Sequence, residues 1–221
     1  MDRADDHWSR IRKRMVEESI ESRGISDRSV LEAMAEVPRE KFLPAHLCEF
    51  AYDDKPLPIE AGQTISQPYV VALMAAAAEL RPEGRVLEVG TGSGYGAAVL
   101  SRIAGEVWSI ERHEVLAASA GQRLKELGYS NVHVIHGDGT QGWPDEAPYD
   151  AIVVTAGAPT VPEALVNQLT PDGRLIIPVG RKRKVQHLLR IRLVGRETTV
   201  DDLGAVRFVP LIADQSWAEF D

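Results

Sequence analysis

A run of seven residues, Glu88-Val89-Gly90-Thr91-Gly92-Ser93-Gly94, constrains this 221-residue chain more than any other feature. It follows an apolar stretch, Arg85–Val89, and leads into a helical pattern opening near Tyr95. Three glycines at alternate positions between a strand and a helix let the backbone pass close to a ligand, because no Cβ stands in the way. A chain built around such a turn is expected to place its ligand at the carboxyl ends of parallel strands.

The residues after the turn alternate as that architecture requires. Apolar runs at Glu106–Ile110, Val132–His136, Tyr149–Thr155 and Arg174–Val179 read as strands, with helical patterns over 113–127 and from about Pro162 between them. The alternation predicts an α/β fold with a mostly parallel, doubly wound sheet and helices on both faces. Near-continuous runs such as Ala151-Ile152-Val153-Val154 fit strands buried on both sides. Leu188–Val194 and Val206–Leu211 then follow with no helical pattern between them, which predicts an antiparallel pair ending the sheet.

Ahead of the turn, Trp8, Ile11, Met15 and Ser19 recur at helical spacing and Gly24 stops the pattern. Ser26 and Asp27 offer a cap for a second helix carrying Val30, Leu31, Met34 and Val37 before Pro38. From Phe42 to Gln67, Pro44, Pro56, Pro58 and Gly62 break any period and predict an ordered, irregular segment, a kind of loop that is usually functional at this length. A helix is expected from about Pro68 through Ala75–Ala78 to Leu80. The expectation is one domain over 1–221, with N-terminal helices over 5–37 and an irregular active-site segment over 42–67 packed on the core.

Composition narrows the partners. Lys and Arg number 25 against 33 Asp and Glu, and the net charge of −8 argues against a broad phosphate-binding face or an anionic membrane surface. The basic run Arg181-Lys182-Arg183-Lys184 reads as the solvated tip of a loop between strands. Cys48, alone, allows no internal disulfide and is expected to be a small buried hydrophobe. None of the six histidines has paired metal-ligand spacing, so no metal is expected. No stretch approaches the roughly 18 apolar residues of a membrane span. The first residues lack the apolar core of a secretion signal, and a cytoplasmic protein is expected.

The glycine turn alone leaves two cofactor classes open, because Gly92-Ser93-Gly94-Tyr95-Gly96-Ala97 also satisfies the dinucleotide pattern G-x-G-x-x-A of a nicotinamide oxidoreductase. Glu88 tilts the choice. Just before the first glycine, an anion would repel a pyrophosphate but could orient the cationic end of S-adenosylmethionine through its ammonium or a bound water. Glu111 closes the next strand 21 positions after Gly90, where an acid meets ribose hydroxyls in either class. Asp138, in Gly137-Asp138-Gly139 after the third strand, is placed to reach an adenine edge, with Gly139 letting the chain turn around the ring; an Asx turn is the plain structural alternative. Three acids at successive strand ends beside one glycine-rich turn indicate a ligand crevice.

Longer motifs carry a resemblance. Val86–Tyr95, the stretch Leu57-Pro58-Ile59-Glu60-Ala61-Gly62-Gln63-Thr64-Ile65-Ser66-Gln67-Pro68, and Gly173–Gly180 resemble the protein-L-isoaspartate O-methyltransferases. Val37–Phe42, His136–Gly139 and Val206–Leu211 add to the likeness, which spans roughly Ile25 to Pro210. The glycine motif is shared by many methyltransferases, whereas Gln63–Pro68 is characteristic of this family. The resemblance implies a Rossmann-like class I methyltransferase fold with S-adenosyl-L-methionine as cofactor. It makes Ser66 the active-site serine and puts Thr64, Ile65, Glu111, Asp138 and Gly139 at cofactor-contacting positions, with Gln215 near the cofactor beyond the last strand. Glu88, Gly90, Thr91, Gly92, Ser93 and Gly94 complete the expected cofactor set.

The resemblance further implies methyl transfer to the free carboxylate of L-isoaspartyl residues in damaged proteins and peptides, an ester that closes to a succinimide, and a monomer that binds neither nucleic acid nor membrane. The residues read by themselves give Ser66 a plainer part as the N-cap of the helix that Pro68 opens. Asp53 and Asp54 could engage substrate amides or stand as exposed loop acids. Three other functions remain open to the sequence: a relative that methylates ordinary aspartate in a dedicated peptide partner, a nicotinamide-dependent oxidoreductase, and a non-catalytic cofactor-binding module.

Overall fold

The computed structural model describes residues 3–181, 185–194 and 197–212. The first helix, α1 (Arg3–Met15), continues through a π turn (Val16–Ile20) and a 3-10 turn (Glu21–Arg23) to Gly24, whose φ of 94° ends the run where the sequence predicts a stop. Met15, Val16 and Ile20 are buried. Helix α2 (Arg28–Glu36) is capped by Asp27, whose Oδ1 accepts from the N–H groups of Ser29 at 2.9 Å and Val30 at 3.2 Å.

The 42–67 segment is irregular and yet built into the core. Phe42, Ala51, Leu57 and Ile65 are all buried. Strands β1 (Leu57–Pro58) and β2 (Thr64–Ile65) pair as a small antiparallel hairpin that leads straight into α3 (Pro68–Ala78). The expectation that Ser66 caps this helix is corrected by the structure. The N-cap residue is Gln67, and it makes no side-chain cap. The cap comes from Asp54, fifteen residues upstream, whose Oδ1 accepts the Tyr69 N–H at 2.8 Å. Its Oδ2 also accepts from Arg23 at 2.8 Å and Gln67 at 3.3 Å. Asp54 is thereby committed to structure, and Asp53 pairs with Lys55 at 2.8 Å.

Beyond α3 the strands are β3 (Arg85–Val89), β4 (Glu106–Glu111), β5 (Val132–His136), β6 (Tyr149–Val154), β7 (Leu169–Val179), β8 (Gln186–Val194) and β9 (Glu197–Val206). They form one sheet in the order β5-β4-β3-β6-β7-β8-β9. The first five are parallel, and β8 and β9 are antiparallel to their neighbours. Helices α4 (Tyr95–Ser101), α5 (Glu114–Glu126) and α6 (Glu163–Val166) connect them. Successive strand residues enter opposite cores. Val86, Ala151, Val153 and Ile176 join the cluster containing α1 to α4, while Leu87, Ile152, Val154 and Leu175 join the cluster containing α6. Both faces of the sheet are therefore covered, which accounts for its near-continuous apolar strands.

Three sequence expectations change. The last strand is Glu197–Val206, not Val206–Leu211. As an edge strand exposed over most of its length, it carries Glu, Thr and Asp and lacks an apolar signature. Val206–Leu211 is apolar because it runs back over the core, joined to it by a bridge from Pro210 to Gly157. Strand β7 starts at Leu169, ahead of the Thr170–Gly173 turn residues that conceal its first pairing, Tyr149 with Leu169. Cys48 is half-buried, its thiol donating to the Glu40 carbonyl at 3.3 Å. Arg181 is exposed at the end of β7, and Lys182–Lys184 lie outside the described residues.

Asp54→Ala is expected to destabilise the protein by about 1–2 kcal/mol through loss of a helix cap. Asp53→Ala, which removes an exposed ion pair, is expected to stay within about 0.5 kcal/mol of wild type. Equilibrium urea unfolding of both variants checks the contrast.

Candidate functional site

Strand β3 lies between β4 and β6, so the connections leaving its two neighbours diverge and open a crevice at its carboxyl end. The glycine-rich turn fills that end. Gly90, Gly92 and Gly94 all have positive φ, at 101°, 54° and 90°. Gly90 has a second reason to lack a side chain, since a Cβ there would stand 2.3 Å from Thr155 Oγ1. At the second residue of α4, a Cβ on Gly96 would stand 2.2 Å from Glu88 Oε1. The turn is thus pressed against β6 on one side and against its own preceding acid on the other.

Glu88 is 1% exposed. Its Oε2 accepts the Ser109 hydroxyl at 2.5 Å, and Thr91 Oγ1 lies 2.6 Å from Ser109 Oγ. Burial pushes its pKa up to about 8; the Ser109 hydrogen bond works against that shift and the nearby charge of Glu111 adds to it. The sequence reading pictured a standing anion. The structure shows a buried acid on the wall of a cleft, where burial favours the protonated form and an approaching cation would favour the ionised one.

Glu111 works as a clamp. One carboxylate oxygen accepts the Gly92 N–H at 2.8 Å and the other the His113 N–H at 2.9 Å, which ties the glycine turn to the end of β4. Each oxygen keeps a second lone pair for a ligand hydroxyl. Asp138 takes the Asx geometry: Oδ1 accepts from Thr140 N–H at 2.9 Å and Thr140 Oγ1 at 2.8 Å. Gly139 is demanded by packing, because a Cβ there would stand 2.4 Å from Val89 Cγ1. Glu111 and Gly139 line a small cavity of about 80 Å³ that also touches Gly90 and Gly92.

That small cavity adjoins a cleft of about 580 Å³, with Thr64, Gly90, Gly92 and Thr155 lining both. The cleft is lined by Thr64–Gln67, the glycine turn and Leu203–Val209. Thr64, Ile65, Ser66, Glu88, Gly90, Thr91, Gly92 and Ser93 are therefore brought together as expected. Gly94 turns away, its Cα position packed against Leu124, and Gln215 falls outside the described residues. Among the described residues the charged side chains lining the large cleft are Arg23, which is paired with Asp54, Arg207 and the buried Glu88. Among the described residues no group of three His, Cys, Asp or Glu is placed to hold a metal ion.

Several supporting residues escaped the sequence reading. Gln186, 2% exposed, donates to the Phe208 carbonyl at 3.2 Å and accepts the Phe208 N–H at 2.7 Å, holding the far wall as an added strand residue would. Arg39, fully buried, donates from Nη2 to the Ser66 carbonyl at 2.8 Å. Neither carries a local signal, because each acts on backbone distant in sequence. For Gln186 the one hint is Gly157, where a Cβ would stand 2.2 Å from its Nε2.

Comparison with known proteins agrees with this arrangement. The family model described as protein-L-isoaspartate(D-aspartate) O-methyltransferase matches residues 10–216. The chain is 56% identical over 207 residues to protein-L-isoaspartate O-methyltransferase 2 of Pelobacter propionicus, covering 93% of this chain and 92% of that one. It is 58% identical over 197 residues to protein-L-isoaspartate O-methyltransferase 1 of Geotalea uraniireducens, covering 89% and 90%. A solved protein-L-isoaspartate O-methyltransferase superimposes with a TM-score of 0.81 at 33% identity, over 90% of this chain and 65% of that one. A Plasmodium falciparum structure, described as a candidate enzyme of the same kind in complex with S-adenosyl-L-homocysteine, gives 0.77 at 30% identity over 91% and 98%.

The raised pKa of Glu88 fixes the sign of a pH effect. The folded chain holds this proton more tightly than the unfolded chain, whose glutamate titrates near 4.5, so the ligand-free protein loses stability as pH rises from about 5 through about 8. Glu88→Gln is expected to flatten that part of the profile, as read from thermal midpoints at stepped pH. An unchanged slope would show that Glu88 is not the group responsible.

Proposed function

The chain belongs to the protein-L-isoaspartate(D-aspartate) O-methyltransferase family, and we propose that Ser66 and the glycine-rich turn carry its reaction, the S-adenosylmethionine-dependent methylation of L-isoaspartyl carboxylates. The observation that carries the assignment is the juxtaposition of Thr64–Ser66 with Gly90–Ser93 across one cleft. Two walls far apart in sequence there meet at the carboxyl end of β3.

The residues fit the cofactor on structural grounds. Gly90 and Gly92 leave a cradle without side chains, Glu111 and Gly139 line an adjoining recess, and Glu88 is an acid that a cation would ionise. Thr64, Ile65, Glu88, Gly90, Thr91, Gly92, Ser93, Glu111, Asp138 and Gly139 are proposed to hold it, together with Gln215, which lies outside the described residues, while Gly94 shapes the turn from behind. When bound, S-adenosylmethionine supplies an electrophilic methyl group on a sulfonium.

The acceptor needs little activation. A carboxylate with an ordinary pKa near 4 is ionised at neutral pH, so no general base is required. The chain contributes alignment and exclusion of water, which matter because opposite charges are neutralised in the transfer. Arg207 on the cleft lining favours the anionic substrate, and Ser66 positions its carboxylate. The methyl ester that forms closes without the enzyme to a succinimide, which hydrolyses in part to normal aspartate.

The reading extends to one domain over 1–221, acting as a monomer on isoaspartyl proteins and peptides in the cytoplasm, without nucleic acid or membrane partners. The net charge of −8 supports the exclusion of anionic polymers and surfaces. None of the described helices is long and apolar enough to cross a membrane.

Methyl transfer from labelled S-adenosylmethionine to paired peptides, one with L-isoaspartate and one with ordinary aspartate, tests the function. Base-labile label is expected on the isoaspartyl peptide alone, and label on ordinary aspartate or on neither would refute the reading. Ser66→Ala is expected to lower transfer about tenfold or more, the size of one lost hydrogen bond to a charged group, with cofactor affinity little changed. Asp138→Ala is expected to weaken cofactor binding itself. Equal loss of cofactor affinity in both variants would contradict this division.

A further inference from the structure

Arg39 is a cation with 0% exposure in a protein whose other site residues reach the cleft. Its Nε donates to the Ala51 carbonyl at 2.7 Å and its Nη2 to the Ser66 carbonyl at 2.8 Å. The guanidinium carbon lies 4.7 Å from the centre of the Tyr95 ring, and Nη1 is buried without a hydrogen-bond partner. Among the described residues no carboxylate is hydrogen-bonded to it. Burial lowers its pKa from the usual arginine range, with Tyr95 and Tyr52 acting against that shift. Taking an arginine out of water costs of order several kcal/mol unless its surroundings compensate. Two carbonyls, the Tyr95 side chain and the nearby charge of Asp54 are what compensate here.

The two ends of that arrangement are the two halves of the site. Ser66 belongs to the substrate-side wall, and Tyr95 is the first residue of α4, directly after the glycine turn, and lines the same cleft. Tyr95 is itself fixed, 1% exposed, with its hydroxyl donating to Met34 Sδ at 3.7 Å. Ser66 precedes α3, whose start is held separately by Asp54. Among the described residues the serine side chain makes no hydrogen bond, so its placement depends on its backbone, and its carbonyl is held by Arg39.

We infer that Arg39 is a positioning residue for methyl transfer, setting the distance between the Ser66 wall and the glycine turn through its hydrogen bond to the Ser66 carbonyl and its stack on Tyr95. The inference rests on the reading of Ser66 as part of the transfer site. Only a planar, forked head group meets both carbonyls and lies against the ring at once. A lysine keeps the charge and much of the length but offers a single point of attachment.

The test is steady-state kinetics of Arg39→Lys with the isoaspartyl peptide, alongside cofactor affinity by calorimetry and a thermal midpoint. Tyr52→Phe is the control. Tyr52 donates to Glu40 within the same buried region and makes no bond to Ser66, so its loss perturbs packing without freeing the serine. For Arg39→Lys, kcat is expected to fall about 10- to 100-fold, the cost of a misplacement near 1 Å in an aligned transfer. Cofactor Kd and peptide KM are expected to stay within about threefold, the signature of an interaction that counts only in the transition state. Tyr52→Phe is expected to keep kcat within about threefold even where its midpoint falls as far.

A wild-type kcat in Arg39→Lys, a loss matched by Tyr52→Phe at equal stability, or a loss lying in cofactor affinity would each overturn the inference and leave the function standing. A wild-type protein that binds cofactor and leaves the isoaspartyl peptide unmethylated would overturn the function, and the inference with it.

Discussion

How closely one backbone can approach another at the carboxyl end of β3 is the constraint on which the rest of the site depends. Gly90 lies against Thr155 of the strand-end beside it, Gly96 against the carboxyl of Glu88, and Gly139 against Val89. At each position a methyl group would stand within 2.4 Å of a neighbouring atom, well inside any van der Waals contact. The cradle that faces the ligand is therefore the outer surface of a tightly packed junction of β3, β4 and β6, and its shape follows from the sheet beneath it.

Electrostatics at that junction follow from the same closeness. Glu88 is sealed beneath the turn, so desolvation outweighs its Ser109 hydrogen bond and raises its pKa. Glu111, almost as buried, has each oxygen held by a backbone N–H, and its charge is spent on fixing the turn. Two acids one strand apart thus do different work. One holds architecture, and the other holds a proton that an arriving cation would displace.

The opposite walls are held from a distance. Asp54 caps α3, Arg39 grips the Ser66 carbonyl, and Gln186 pairs with both backbone groups of Phe208. In each case a side chain satisfies backbone groups that no regular strand or helix reaches. This holds the irregular 42–67 segment and the stretch after β9 in place beside the cleft. Three side chains fix the backbone at Ser66, α3 and Phe208, and close packing at glycine fixes the turn after β3.

The sequence by itself determined the strand–turn–helix at Glu88–Gly94, the parallel alternation and a cap at Ser26 or Asp27 for α2. Those features are written in local pattern: apolar period, glycine spacing and acids at strand ends. Tertiary structure alone decided that Asp54 and not Ser66 caps α3, that the polar run Glu197–Val206 and not the apolar run after it forms the last strand, that burial raises the pKa of Glu88, and that Arg39 and Gln186 hold the cleft walls. Each of these depends on what a residue meets across the fold, 15 to 27 positions away in the cases of Asp54, Gln186 and Arg39. Desolvation and long-range hydrogen bonding are properties of the assembled chain, and no local pattern encodes them.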